Sequence, residues 1–264
     1  MSFIIDHDLH IHTRLSSCSN HPEQTPTAIL NYAAENHLRH ICLADHFWDE
    51  TVPGASGWYE PQNYGHVTKA LPLPAAEGIR FDFGCETDMN RFGTLGISRE
   101  TLDRFDFVIV PTNHLHMGIF SVPEGCTSVA ARAAYFMERT HGLLDMDLPF
   151  HKMGLAHFTC PLMASWSEGS RDDMLNAITD EAFAALFTRI AACGLGVELN
   201  TSLEDAESEA ALRPYRIARD CGCKFYLGSD AHSPDGLKHA IPRFRAIVDA
   251  LGLTEEDKIP FVRG

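Results

Sequence analysis

The chain has 264 residues, of which 45% are hydrophobic, and carries 21 basic against 36 acidic side chains for a net charge of −15. That surplus argues against a nucleic-acid backbone or an anionic membrane as partner, although divalent ions would reverse the sign inside a pocket. The length suits one α/β barrel, spanning 1–264 as a single domain, or two small domains; no long apolar run or basic leader is present, so a soluble, cytoplasmic protein is expected.

The first apolar run, 3–12, ends in Asp8-Leu9-His10-Ile11-His12. Alternate side chains of a strand share a face, so His10 and His12 are expected side by side, with Leu9 and Ile11 opposite. Two imidazoles so placed suit one metal ion. A helix follows from Pro26 to Leu38 with Thr25 as N-cap, and then a strand, 40–46, ending in Asp45-His46. The stretch 49–66, rich in Gly and Pro and holding Trp58, Tyr59 and Tyr64, reads as a loop over a mouth or as a surface excursion. Further strands are expected at 81–87, 107–114, 153–157, 196–200 and 224–232, and further helices at 129–143, 180–193, 210–221 and 237–251. Gly194 closes the helix before it.

Strand–helix alternation along the whole chain implies a parallel sheet. Polar residues at the C-terminal strand ends imply a closed barrel with one functional mouth, a distorted TIM-like α/β barrel. An open doubly wound sheet would not bring the ends together, and no glycine-rich nucleotide loop is present. Six strand ends supply metal-type ligands: His10 and His12, Asp45 and His46, Glu86, His114 and His116, His157, and Asp230 and His232. One buried His is most simply a hydrogen-bonded core residue. Six such ends together are costly to bury unless cations compensate them. A carboxylate able to bridge, Glu86, points to at least two ions, of the kind that clamp a displacement at phosphorus. Eight cysteines are scattered without a CxxC pair, and six of them, in or beside apolar runs, read as reduced core thiols.

The ordered series DLHIHT (8–13), ADH (44–46), GCETD (84–88), TNH (112–114), AH (156–157) and SDAH (229–232) resembles the PHP (polymerase and histidinol phosphatase) metal-dependent phosphoesterases over essentially the whole chain. The resemblance implies a distorted (β/α)7 barrel with two or three divalent ions at the strand ends, zinc first, manganese or iron otherwise. Carried over, His10, His12, Glu86 and Asp230 would hold one ion. Glu86, His114 and His157 would hold the second, and His46 and His232 would help hold a third. Where many relatives place Asp or His after the HxHT motif, this chain has Cys18, with His21 nearby. A Cys18 thiolate would favour zinc at that site, and His21 is the alternative.

The activity implied is hydrolysis of a small phosphate monoester, L-histidinol phosphate among the candidates, by metal-activated hydroxide. Glu86, Asp230 and His232 stand at its centre. Asp8, Asp45, Glu198 and Asn200 would orient ligands. Arg14 and Arg91, ahead of Lys152 and Arg171, are the cations expected to meet the phosphate, and His116 is expected beside the substrate. Three rivals remain: an amidohydrolase-type metal hydrolase, whose usual bridging Lys would be replaced here by Glu86; a proofreading nuclease module, disfavoured by the charge; and a non-catalytic metal-binding module.

Overall fold

The computed structural model describes residues 1–19, 21–200 and 208–263. Seven short strands, β1 (His7–Ile11), β2 (His40–Phe47), β3 (Arg80–Thr87), β4 (Val108–Val110), β5 (Met153–Leu155), β6 (Gly196–Asn200) and β7 (Phe225–Gly228), form one sheet. Each pairs in parallel with the next in sequence. Past the strand ends, Asp230 N donates to His10 O at 2.7 Å and His12 N to Ala231 O at 3.1 Å, which returns β7 to β1. Lower down the seam, side chains replace strand carbonyls: Leu227 N donates to His7 Nε2 at 3.0 Å and Ser229 N to Asp8 Oδ1 at 2.9 Å. The result is a nearly closed, distorted (β/α)7 barrel.

Around it lie α1 (Pro26–Glu35), α2 (Tyr64–Val67), α3 (Arg99–Leu102), α4 (Val129–Leu144), α5 (Arg171–Asn176), α6 (Asp180–Cys193), α7 (Glu209–Asp220) and α8 (Pro234–Leu251). Thr25 caps α1, its hydroxyl accepting from Ala28 N at 3.2 Å. The helix stops at Glu35 rather than Leu38 because His37 turns left-handed, at φ 58°. Gly194 ends α6 at φ 80°, as its position predicts.

The barrel interior is a cluster with no helix residue: Leu9, Cys42, Ala44, Phe107, Ile109, Ala156, Tyr226 and Ile259. Gly84 is required there, since a Cβ would come within 2.6 Å of Cys42 Sγ and 2.7 Å of Leu43 O. The outer faces of the strands pack against the helices in a second, larger cluster. The pairing of β1 shifts register between Asp8 and Ile11. Leu9 therefore joins the interior and Ile11 the outer cluster, contrary to the expectation that they share a face. Three expected strands also end early. β4 stops at Val110, so His114 stands on a loop; β5 stops at Leu155, leaving His157 beyond it at φ 23°; and β7 stops at Gly228, after which Asp230 adopts φ 53°.

Candidate metal centre

Strand register sets the centre of the site. His46 and Glu86 are directly paired across β2 and β3. His46 Nδ1 lies 2.9 Å from Glu86 Oε2, yet the two are not aligned for a hydrogen bond, and both atoms are buried without a hydrogen-bond partner. β1 brings His10 and His12 to the same point, with their Nε2 atoms 3.1 Å apart. Asp230 Oδ1 lies 3.4 Å from His10 Nε2 and 3.0 Å from His12 Nε2. Glu86 Oε2 lies 3.6 Å and 3.5 Å from the same two nitrogens. The other oxygen, Oε1, faces His157 Nε2 at 3.2 Å and His114 Nε2 at 3.9 Å. His12, His46 and His232 form a third group of converging donors.

These separations fit metal ions. Ligand atoms about 2.1 Å from a tetrahedral ion lie roughly 3.4 Å from one another. The donor set is nitrogen and carboxylate oxygen, and if both rings carry their protons on Nδ1 the facing Nε2 lone pairs of His10 and His12 suit a shared cation. His10, His12, Glu86 and Asp230 would hold one ion, and Glu86, His114 and His157 another.

Each of four imidazoles has its far nitrogen engaged. His10 Nδ1 meets Glu198 Oε2 at 2.9 Å, and Glu198 in turn accepts from Tyr226 OH at 3.1 Å and Asn200 Nδ2 at 2.6 Å. His12 Nδ1 meets Ser16 Oγ at 2.9 Å, whose hydroxyl donates to Asp45 at 2.7 Å. His114 Nδ1 meets Asp88 Oδ2 at 3.1 Å; Asp88 also accepts from Tyr59 OH at 3.0 Å and from buried Arg139 at 2.7 Å. His157 Nδ1 meets Asn113 Oδ1 at 3.1 Å. Such partners fix the tautomer with Nδ1 protonated and turn Nε2 toward the ion. Asp8 fixes the strand seam through Ser229 N. Sequence reasoning singled out Asp45, Glu198 and Asn200 but not Asp88, Asn113, Ser16 or Arg139. Asp88 was accessible as the last residue of the GCETD stretch.

The carboxylates and imidazoles of the cluster set one another's charge. Burial favours protonating Glu86, but the His46 and His10 imidazoles outweigh it and hold its pKa well below the carboxylate range. Burial opposes charging His10, yet Glu198, Asp230 and Glu86 raise it well above the usual imidazole range. Burial, with His232 and His46 beside it, pushes His12 well below.

The third group contains the sequence departure. Cys18 Sγ lies 3.0 Å from His232 Nε2. Burial raises its pKa, but hydrogen bonds to His232 and His46 outweigh this and bring it down to about 7. His21 is exposed, and its Nδ1 accepts from Glu23 N at 3.3 Å.

A hollow of about 160 Å³ opens above the cluster, lined by Cys18, His46, Glu86, His114, Asp230 and His232 and by Trp58, Tyr59, His116, Met117 and Leu162. The 49–66 stretch thus sends Trp58 and Tyr59 to the mouth. The expected cations lie elsewhere. Arg14 lines a separate hollow with Lys69 and Pro72, and Arg91 another, its guanidinium 4.7 Å from the centre of the Phe92 ring. Lys152 donates to Leu102 O and Phe105 O, and Arg171 pairs with Asp172.

No family model and no curated protein matches the sequence. Among solved structures the chain is similar to histidinol phosphate phosphatase from Lactococcus lactis, in complex with zinc, L-histidinol and phosphate. The TM-score is 0.60 at 17% identity, over 96% of this chain and 98% of that one. N-isopropylammelide isopropylaminohydrolase from Burkholderia multivorans matches with a TM-score of 0.44 at 13% identity, over 95% of this chain and 72% of that one, too distant to support an argument. The fold is thus PHP-like, the barrel that the ordered motif series implies.

Proposed function

We propose that the chain is a divalent-metal-dependent phosphoesterase acting on small phosphate monoesters, with 1–264 serving as one catalytic domain. The observation that carries this reading is Glu86, whose two oxygens face two different sets of imidazoles, Oε2 toward His10 and His12 and Oε1 toward His114 and His157. A carboxylate in that position would be shared between two ions. When bound, such ions polarise a phosphoryl oxygen and acidify a water to near neutrality.

The chain's own residues do the rest. Glu198, Ser16, Asp88 and Asn113 hold the four imidazoles in register. Trp58, Met117 and Leu162 wall the hollow against bulk water. His116 lines the hollow and is the imidazole placed beside a substrate oxygen in this reading. L-histidinol phosphate belongs on the list of candidate substrates, because the similar Lactococcus protein was solved with L-histidinol and phosphate. Cys42, Cys85 and Cys223, buried and outside any disulfide, suit a reducing cytoplasm. No helix among the described residues is long and apolar enough to cross a membrane.

The test is reconstitution with Zn²⁺, Mn²⁺ or Fe²⁺, then a screen of small phosphoesters that includes L-histidinol phosphate. Metal-dependent turnover that a chelator abolishes is expected, with two or three ions per chain by elemental analysis. Less than one equivalent, with no gain on reconstitution, would overturn the metal assignment. Full metal loading with turnover only of amides or carboxylic esters would move the chain to the amidohydrolase-type alternative.

A further inference from the structure

The hollow above the metal ligands contains no lysine or arginine among the described residues that line it. Positions 20, 201–207 and 264, outside the described residues, are Asn, TSLEDAE and Gly, and add no basic side chain. Arg14 and Arg91, the two arginines nearest the motifs in sequence, line other hollows. One anionic group of a substrate is therefore met by the ions that the cluster would hold. A second would meet no cation, within a chain of net charge −15. Leaving a buried charge unpaired is costly, so the site selects against it.

The upper walls have the opposite character. Trp58 is half-buried, with its ring edge-on to His46 at 4.9 Å between centroids. It is held by Tyr59, 4.7 Å away and T-shaped, which Asp88 anchors through the phenol. Met117 and Leu162 complete an apolar rim. A rim of this kind binds a flat or apolar group and offers little to a polyhydroxylated one.

We propose, resting on the phosphomonoesterase reading above, that the substrates carry the phosphate as their only anionic group. It is borne on an alcohol that presents a flat or apolar face to Trp58, Met117 and Leu162. Nucleoside di- and triphosphates, sugar bisphosphates and phosphorylated carboxylic acids are selected against.

The test uses matched pairs on the metal-reconstituted protein. Phenyl phosphate and 4-carboxyphenyl phosphate report turnover; phenylphosphonate and 4-carboxyphenylphosphonate, which are not hydrolysed, report binding by calorimetry. The carboxylate makes the phenol a slightly better leaving group, so a preference against it does not come from the chemistry. We expect kcat/KM and Kd each to favour the uncharged member by at least about tenfold. Leu162→Lys should shrink that preference by a similar factor. Trp58→Ala should raise KM for phenyl phosphate by a larger factor than KM for methyl phosphate. Equal binding of the two phosphonates, or binding of neither, would overturn the proposal whatever the turnover. Preference in binding with neither ester hydrolysed would instead remove the phosphatase reading and leave the selectivity standing.

Discussion

Glu86 is the residue on which the proposed ion pair depends. It is almost fully buried, and each of its oxygens faces a different ligand set. Glutamine has the same shape but one oxygen, and its amide N–H groups would point at a cation on one side. Glu86→Gln should therefore lose at least one ion by elemental analysis. Its kcat should fall by more than the roughly 10–100-fold typical of changes to an outer partner, while circular dichroism shows the barrel intact. Near-normal turnover would make Glu86 a bystander. Cys18 is the second residue with a specific consequence. Its sulfur lies 3.0 Å from His232 Nε2, whereas His21 is occupied with the backbone of Glu23. Serine is nearly isosteric with cysteine but a poor zinc ligand. Cys18→Ser should lose the ion of the His46–His232 group, and His21→Ala should not. Anomalous diffraction at the zinc edge separates the two, and full occupancy in Cys18→Ser would show that the thiol is not a ligand.

At the scale of elements, the strands position the ligands through close packing as well as register. In β7, a Cβ on Gly228 would come 2.6 Å from Glu198 Oε1 and 2.7 Å from His10 Cβ. Gly228→Ala must push either the ligand or its orienting carboxylate. A methyl on Gly196, on the neighbouring strand, would meet Ile259 and Tyr226 no closer than 3.1 Å, away from the ligands. Overpacking of either kind costs about 1–3 kcal/mol. The two differ in metal content, which should fall in Gly228→Ala and hold in Gly196→Ala; equal content in both would show that His10 and Glu198 have room to yield. This packing also marks the limit of what the sequence reveals. Strand ends were legible because apolar runs stop at His, Asp or Glu, and α6 because its apolar stripe closes on Gly194. The early stops of β4 and β7 were not, because the left-handed turn at Asp230 has no local marker other than the residue itself. The partners of the ligands were legible only where they end an apolar run, as Glu198 and Asn200 do. Asn113 and Ser16 look like ordinary loop residues until the fold brings them to an imidazole. Nor does nearness to a motif fix the direction a side chain takes: Arg14 follows DLHIHT directly and still points into a different hollow.

For the molecule as a whole, the least legible feature is how the barrel closes, because it joins the two ends of the chain through side chains. His7 is fully buried, and its Nε2 accepts from Leu227 N while its Nδ1 meets Asp6 at 3.0 Å. Asp6 in turn pairs with buried Lys258 at 2.9 Å. Accepting at Nε2 requires neutral His7 with its proton on Nδ1. Protonating Nε2 would break the bond to β7. Burial is the main reason His7 stays neutral, outweighing the pull of Asp6 and lowering its pKa from 6.5 to about 4. The unfolded chain takes up a proton at this residue near pH 6.5, whereas the folded chain refuses it until about pH 4. The stabilisation is therefore fully present above pH 6.5 and is lost as pH falls from 6.5 to 4. The difference amounts to about 3 kcal/mol, at roughly 1.4 kcal/mol per pH unit. Asp6 contributes below that window. Its pKa is lowered from 3.8 to about 2, with burial opposing and His7 and Lys258 outweighing it, so its share is lost as pH falls from 3.8 toward 2. His7→Gln keeps an acceptor for the seam but cannot titrate. Denaturant unfolding of both proteins at pH 7 and pH 4.5 should show the wild type losing about 2–3 kcal/mol more than the variant over that interval. His12 and the other ligands titrate in both and cancel in the difference. Equal losses would mean that acid opens the barrel at the metal site and not along the β1–β7 seam.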